Sequence, residues 1–102
     1  MQLVLLTVLS MDEAEALAET IVESRLAACV QILPQMKSIY IWEGNVQKET
    51  EHLLLIKTLP EKWEELRNFI TANHSYDVPE IVAIDAVRVS GPYLEWIKNM
   101  LG

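Results

Sequence analysis

The amino-acid sequence predicts an α+β fold: a ferredoxin-like βαββαβ sandwich with a long bent β-hairpin and a C-terminal helix. Three observations support this prediction. Residues 38–58 have the pattern of two strands joined by a turn, further apolar segments have the length of strands, and amphipathic helical patterns separate them in the order βαββαβ. The 102 residues, of which 51% are hydrophobic, are typical of one globular domain with one modest core. We therefore interpret residues 1–102 as one domain.

The predicted hairpin, SIYIWEGNVQKETEHLLLIKT at residues 38–58, is the segment around which the other elements can be placed. Its turn is predicted at Glu43, Gly44 and Asn45. The first arm, SIYIW, alternates aliphatic with polar and aromatic side chains, whereas the second arm contains the segment LLLI, which is apolar on both faces. The few helices of so short a chain cannot cover both faces, so we expect another copy of the chain to cover one of them.

Two elements are predicted before the hairpin. Residues 2–9 form a continuous apolar segment, which suits a strand that is buried on both faces. Residues 11–26 follow with apolar positions at helical spacing and glutamates on the opposite side. Ser10 and Glu13 have the spacing of a capping box, which predicts the helix start.

A strand is predicted over residues 27–33, with a bend at Pro34 and a short irregular joint at residues 35–37 before it continues into the hairpin. The hairpin's returning strand is predicted over residues 51–58, followed by a helix from Pro60 to about His74, a strand over residues 81–89 and a short helix from Ser90 onward. Proline suits the first turn of a helix, because its missing N–H would have no intrahelical partner there. Helices on one sheet face would leave a second face with apolar side chains, which again predicts self-association.

The net charge of −7 and the isoelectric point near 4.7 argue against a nucleic-acid-binding protein. Such proteins neutralise phosphates with clusters of Lys and Arg, and this chain has only eight of these residues, which do not cluster. The acidic surface is compatible with attraction of cations, and equally with glutamates that are simply solvated on helix faces.

The single cysteine, Cys29, excludes an internal disulfide framework and a cysteine-rich metal cage within one chain. The apolar segment at residues 3–9 is too short to span a membrane, and it carries no basic leader or cleavage pattern. We therefore expect a cytoplasmic protein without a membrane partner.

Five segments are specific enough to name a family. They are RLAACV at 25–30, SIYIWEG at 38–44, LLIKT at 54–58, HSYDVPEI at 74–81 and YLEW at 93–96. Together, and in this order over essentially the whole chain, they resemble the CutA family of divalent-cation tolerance proteins. The resemblance implies a fold similar to that of the PII signalling proteins and a homotrimer assembled through the sheets, which agrees with the apolar hairpin.

The sequence departs from the family pattern where the resemblance would imply a copper site. Some relatives with such a site have a cysteine near the end of the first strand, where this chain has Leu6 and Thr7. Where those relatives have paired histidines, this chain has Asn73 and His74, and Ser75 replaces the proline of the HPY motif. Only one of the implied histidines is therefore present.

A ligand cleft between subunits is predicted from polar and aromatic side chains near the strand ends. The candidate cleft residues are Tyr40, Trp42, Glu43, Lys57, Tyr76, Glu80 and Trp96. The alternative is that Glu43 pairs with Lys57 across a subunit contact and only fixes its register, and that Trp96 only packs.

Two side chains are candidate metal ligands. The imidazole of His74 could bind copper, or it could cap the last carbonyls of the preceding helix. The thiol of Cys29 could bind Cu(I), or it could be an inert side chain in an apolar strand. His52, which has no second ligand at useful spacing, is predicted as an exposed strand residue. No cofactor is required by the sequence, and copper or another divalent cation is the candidate ligand.

No catalytic motif is present. The three glycines, at positions 44, 91 and 102, form no phosphate-binding loop, and no hydrolase motif occurs. The sequence and the resemblance together indicate a non-enzymatic, trimeric, PII-like protein of metal tolerance or signalling, which binds metal ions or a small ligand at inter-subunit clefts. The alternatives are a small-molecule enzyme with a site built from Glu43, Lys57, His74 and Tyr76, or a structural interaction module.

Overall fold

The computed structural model describes all residues from 1 to 102 and confirms the α+β fold. Its elements are β1 (Gln2–Val8), α1 (Met11–Glu23), β2 (Cys29–Ile32), β3 (Met36–Trp42), β4 (Asn45–Thr58), α2 (Trp63–Asn73, preceded by a 3-10 turn at Pro60–Lys62), β5 (Ile81–Asp85) and α3 (Gly91–Leu101). With β2 and β3 taken as the two halves of the predicted bent strand, the order is βαββαβ followed by a helix. None of the three helices is long and apolar enough to cross a membrane.

The sheet has the strand order β2-β4-β1-β5, and every neighbouring pair is antiparallel. Strand β4 is the longest, with 14 residues. Its carboxyl-terminal half pairs with β1 and β2, whereas its amino-terminal half pairs only with β3. The β3–β4 hairpin therefore projects as a two-stranded ribbon from a molecule that measures 45 × 25 × 23 Å.

The core lies between the sheet and helices α1 and α2. Alternate residues of the central strands point to these helices, as the period of two requires. The core residues are Val4, Leu6 and Val8 of β1, Leu54 and Ile56 of β4, Ala14, Leu17 and Ile21 of α1, Leu66 and Ile70 of α2, and Leu26 and Ala27 of the connection. Burial of each large aliphatic side chain contributes roughly 1.5–3 kcal/mol, so this layer dominates the stability.

Helix α1 ends at Glu23, so the prediction that it continues to Leu26 is wrong. Arg25 has a φ angle of 58°, in the left-handed region, and its N–H donates to the carbonyl of Val22. The N–H of Leu26 then donates to the carbonyl of Ile21. This pair of bonds is a Schellman motif, which usually has glycine at the position that Arg25 occupies.

Three further boundaries differ from the predictions. Strand β4 begins at Asn45 rather than at residue 51, because β3 pairs with it as far as the turn. Strand β5 ends at Asp85 rather than at residue 89, because its only neighbour, β1, begins at Gln2 opposite Asp85. The irregular joint between β2 and β3 lies at residues 33–35 rather than at residues 35–37, because Pro34 has no N–H to donate to a ladder.

Candidate functional site

A cleft with a volume of about 620 Å³ lies at the base of the hairpin, between β3, β4 and the loop that follows α2. Its lining residues are Thr7, Ser38, Ile39, Tyr40, Trp42, Glu51, Tyr76, Asp77, Val78 and Glu80. Four of the seven predicted cleft residues are among them, namely Tyr40, Trp42, Tyr76 and Glu80. The structure therefore brings together the aromatic walls and one of the predicted carboxylates.

The pleat of the hairpin separates its side chains into two chemically different faces. On one face Ser38, Tyr40 and Trp42 lie opposite Glu49, Gln47 and Asn45, and on the other face Ile39 and Ile41 lie opposite Lys48 and Val46. Directly opposed residues share a face, because side chains alternate along each strand. The face with the aromatic and acidic side chains is the one that borders the cleft.

Glu43 lies at the tip of the hairpin and not in the cleft of its own chain. Trp42 pairs with Asn45, so the turn contains two residues rather than the predicted three. Their φ angles are 50° for Glu43 and 80° for Gly44. Two positive φ angles define a type I′ turn, whose twist matches that of the strands and for which glycine is favoured.

The central polar contact of the cleft joins Glu51 to Tyr76. The hydroxyl of Tyr76 donates a hydrogen bond of 2.6 Å to Oε2 of Glu51, whose side chain is almost completely buried. Burial raises the pKa of Tyr76 strongly, and the hydrogen bond and charge of Glu51 raise it further. Loss of hydration also raises the pKa of Tyr40, with smaller contributions from the carboxylates of Glu49 and Glu51.

Glu51 is the main site residue that the sequence analysis missed. It lies in β4 opposite Met36, and its partner Tyr76 is 25 positions away on a loop. The signal in the sequence is a carboxylate two residues before the apolar segment LLLI, on the same strand face as Glu49. That signal becomes visible only when the register of the hairpin is known.

The raised pKa of Tyr76 predicts that alkaline pH destabilises the fold. The unfolded chain ionises this phenol at a pKa of about 10, whereas the folded chain retains the proton to higher pH. The contribution to stability is therefore fully present below about pH 10 and is lost as the pH rises toward the raised value. We expect the free energy of unfolding to decrease from about pH 10 upward, and to decrease less steeply in Tyr76→Phe.

Urea denaturation of both proteins between about pH 8 and about pH 11 measures this difference. Contributions from the other titrating groups are common to both proteins and cancel in the comparison of slopes. Equal slopes for wild type and Tyr76→Phe would contradict the assigned role of the Glu51 contact.

His74 fastens the cleft loop to the sheet. Its Nε2–H donates to the carbonyl of Thr7 at 2.7 Å, and its Nδ1 accepts a hydrogen bond of 2.9 Å from the N–H of Tyr76. The side chain has no exposed surface, and its ring lies 4.7 Å from the ring of Tyr76. The alternative that His74 caps helix α2 with its side chain is wrong, because both ring nitrogens bond elsewhere.

The same bonds determine what His74 can offer to a metal ion. In this arrangement Nε2 carries the proton and the lone pair of Nδ1 is used by Tyr76, so neither nitrogen is free. No group of three or more His, Cys, Asp or Glu side chains is arranged to hold a metal ion. The assignment of His74 as a copper ligand stays a prediction, and binding there would require the Tyr76 contact to break.

Glu13 reinforces the same loop from helix α1. The N–H of Glu13 donates to Oγ of Ser10 at 3.1 Å, which confirms one half of the predicted capping box. The other half is wrong, because the Glu13 carboxylate accepts hydrogen bonds from the N–H and the hydroxyl of Ser75, each of 3.0 Å. The N–H and the hydroxyl of Ser75 thereby bind the loop to helix α1.

Lys57 and Trp96 lie together outside the cleft. The Nζ atom of Lys57 is 5.5 Å from the centre of the Tyr93 ring, and this ring stacks on Trp96 with their centres 5.7 Å apart. Cys29 is half-buried directly opposite Lys57 in the β2–β4 ladder. The four residues of the alternative enzyme site, Glu43, Lys57, His74 and Tyr76, are therefore not assembled within one chain.

His52 is buried, so its prediction as an exposed residue is wrong. It lies in β4 opposite Val8, the last residue of β1. Its Nδ1 lies 3.3 Å from the carbonyl oxygen of Leu33, in the segment between β2 and β3. The strand pattern alone shows neither this contact nor the position of His52 on the core face opposite Val8.

The fold and the cleft define a class of small α+β sandwich proteins with a protruding hairpin and an aromatic, acidic cleft at its base. The family described as CutA1 divalent ion tolerance protein matches residues 2–100. The chain therefore belongs to the CutA1 family, as the sequence resemblance indicated.

Individual relatives agree with this assignment. The chain is similar to a chloroplastic CutA protein of Arabidopsis thaliana, with 47% identity over 96 residues, and to a divalent-cation tolerance protein CutA of Thermus thermophilus, with 43% identity over 101 residues. The match covers 94% of this chain but 53% of the Arabidopsis protein, and 99% of this chain and 98% of the Thermus protein. The chain thus spans about half the length of its plant relative.

Solved structures show the same fold. The structure of the Thermus thermophilus protein gives a TM-score of 0.96 at 43% identity, with all of both chains covered. A protein of Archaeoglobus fulgidus, described as a periplasmic divalent cation tolerance protein, also gives 0.96, at 38% identity and with all of both chains covered. Since relatives are described as chloroplastic and periplasmic, the cytoplasmic location stays a prediction.

Proposed function

We propose that this chain is a non-enzymatic protein of divalent-metal tolerance that acts as a homotrimer. The observation that carries the proposal is the match over almost the whole chain to relatives whose names state divalent-cation tolerance. The Thermus relative supports it most directly, since that match covers nearly the full length of both proteins.

The exposed apolar surface supports the assembly. On the hairpin face that carries Ile39, Ile41 and Val46, the exposed fractions are 64%, 71% and 65%. Val82 and Ile84 of β5, on the sheet face opposite to the core helices, are about half exposed. Monomeric proteins rarely leave apolar patches of this extent in water, so we infer that neighbouring copies cover both surfaces.

Assembly would also bring the tip of the hairpin against a neighbouring copy. Because the hairpin projects beyond its own sheet, it can reach a neighbouring copy, and its tip residue Glu43 would then lie against that copy. We infer that this tip meets Lys57 and Trp96 of the neighbouring copy, which lie away from the cleft in their own chain. The seven predicted residues would then form two sites, with Tyr40, Trp42, Tyr76 and Glu80 at the base of the hairpin and Glu43, Lys57 and Trp96 at its tip.

The proposed metal response does not depend on a tight site within one chain. A single chain has no cluster of three metal-binding side chains, and copper prefers several nitrogen, oxygen or sulfur ligands. We therefore expect calorimetric titration of Cu(II) into the wild type to show micromolar or weaker affinity. Nanomolar binding that persists in both His74→Ala and Cys29→Ala would contradict this expectation and would require ligands from several subunits.

The biological role can be tested in bacteria that lack their own CutA protein. Expression of the wild-type chain should raise the concentrations of copper, zinc or cobalt salts at which such cells grow. Expression of Ile41→Lys, which is designed to prevent assembly, should not do so at equal protein level. Identical growth of cells with wild type and with an empty vector would overturn the proposed function.

A further inference from the structure

We propose that the cleft at the base of the hairpin binds an organic cation, with its charged group between the aromatic side chains and Glu51. The inference concerns the same cleft as the proposed function and rests on it for the assembly of that cleft. It adds the chemical class of the ligand, which is a protonated or quaternary amine.

Glu51 is the first reason for this assignment. Its side chain is only 5% exposed, and within its own chain it forms no ion pair. The hydroxyl of Tyr76 satisfies one carboxylate oxygen but does not neutralise the charge. A buried carboxylate without a counter-charge is costly, and a cation that enters the cleft would lower this cost.

The distribution of charge around the cleft is the second reason. Three carboxylates line it, those of Glu51, Asp77 and Glu80, and no Lys, Arg or His side chain does. The pleat of the hairpin keeps its lysine side chains out of the cleft. Lys37 and Lys48 belong to the hairpin face opposite to that of Tyr40 and Trp42, and neither lysine is among the lining residues.

The aromatic walls distinguish an organic cation from a metal ion. Tyr40 and Trp42 are about half exposed on the cleft side, and Tyr76 completes the lining. Aromatic faces attract weakly hydrated ammonium groups but cannot replace the oxygen ligands of a divalent metal. The carboxylates also do not converge into a group that could hold such an ion. A cleft of about 620 Å³ is large enough for a small amine ligand.

Choline and its neutral carbon isostere, in which a tert-butyl group replaces the trimethylammonium group, provide the test. The two probes have nearly the same shape and differ in charge. Calorimetric titration of each into the assembled wild-type protein should show that choline binds about tenfold more tightly or better, because only the cation gains from the aromatic faces and from Glu51. Increasing salt should weaken choline binding and leave the isostere unchanged.

Variants locate the site. Glu51→Gln keeps an acceptor for the Tyr76 hydroxyl but removes the charge, and we expect it to weaken choline binding about tenfold. Trp42→Leu should weaken it as well. The matched control is Glu64→Gln, which removes an exposed carboxylate on helix α2 that pairs with Arg67 outside the cleft lining, and it should bind choline as the wild type does. Melting and sedimentation of each variant without ligand confirm that it remains folded and assembled.

Two results would overturn the inference. Equal binding of choline and the isostere would mean that the cleft is only apolar, and absence of choline binding to assembled wild type would mean that Glu51 receives its counter-charge from a neighbouring copy. Neither result would contradict the proposed function, because that function is tested separately by the growth of cells exposed to metal salts.

Discussion

Ile41→Lys is expected to convert the assembled protein into monomers at micromolar concentration. Ile41 is 71% exposed in the single chain and lies beside Ile39 and Val46 on the apolar face of the hairpin. If this face is covered by a neighbouring copy, a lysine there must either lose its hydration without a partner or hold the subunits apart. Sedimentation velocity should show a change from the trimer mass to the monomer mass of 11.7 kDa.

The control for this change is Val22→Lys. Val22 is also an exposed aliphatic residue, at 41%, but it lies in the last turn of helix α1, where a cation is favourable. This variant should sediment as the wild type does. A wild type that is monomeric, or an Ile41→Lys protein that remains trimeric, would show that the hairpin face is not the subunit contact.

Some cleft residues could be predicted from the sequence, because they alternate along one strand, whereas Lys57 lies too far along β4 to reach them. Tyr40 and Trp42 were found because they alternate with aliphatic residues in β3, and this alternation directly gives their common face. Lys57 is predicted to join them because it is a polar side chain at the end of an apolar strand. However, it lies six positions beyond Glu51 in an extended strand, at roughly 3.3 Å per residue, so about 20 Å separates the two.

The contacts that fasten the cleft loop could not be read from local patterns. Glu13 was predicted to return to its own helix start, and it instead accepts bonds from Ser75, 62 positions away. The His74 ring reaches Thr7 over 67 positions. Capping rules describe which bonds a local segment can make, but a tertiary partner at better geometry can replace them.

The end of helix α1 is also not predicted by the local sequence pattern. Glycine normally marks a Schellman motif, but here Arg25 occupies the left-handed position, so no glycine marks the end of the helix. The guanidinium of Arg25 donates a hydrogen bond of 2.7 Å to the carbonyl of Met100 near the end of α3. We infer that this distant contact helps to offset the backbone strain, which is typically on the order of 1 kcal/mol.

His74→Ala is expected to lower the free energy of unfolding by about 3 kcal/mol and to loosen the cleft loop. The substitution removes the bond to the Thr7 carbonyl and the acceptor for the Tyr76 N–H, and it leaves a small cavity where the unexposed ring packs against Tyr76. Each buried polar group left without a partner costs roughly 1–3 kcal/mol. Because Tyr76 would lose its backbone anchor, its hydroxyl should also hold Glu51 less firmly.

Urea denaturation at one fixed protomer concentration measures the first effect, since assembly couples stability to concentration. Hydrogen exchange at the Tyr76 amide measures the second, and its protection should fall much more than that of the β1–β4 ladder. The control is Asn73→Ala, because the Asn73 side chain is exposed and bonds only within its own helix, to the carbonyl of Phe69. It should change stability by less than about 0.5 kcal/mol. If His74→Ala were equally mild, the imidazole would not be the link that holds the cleft loop on the sheet.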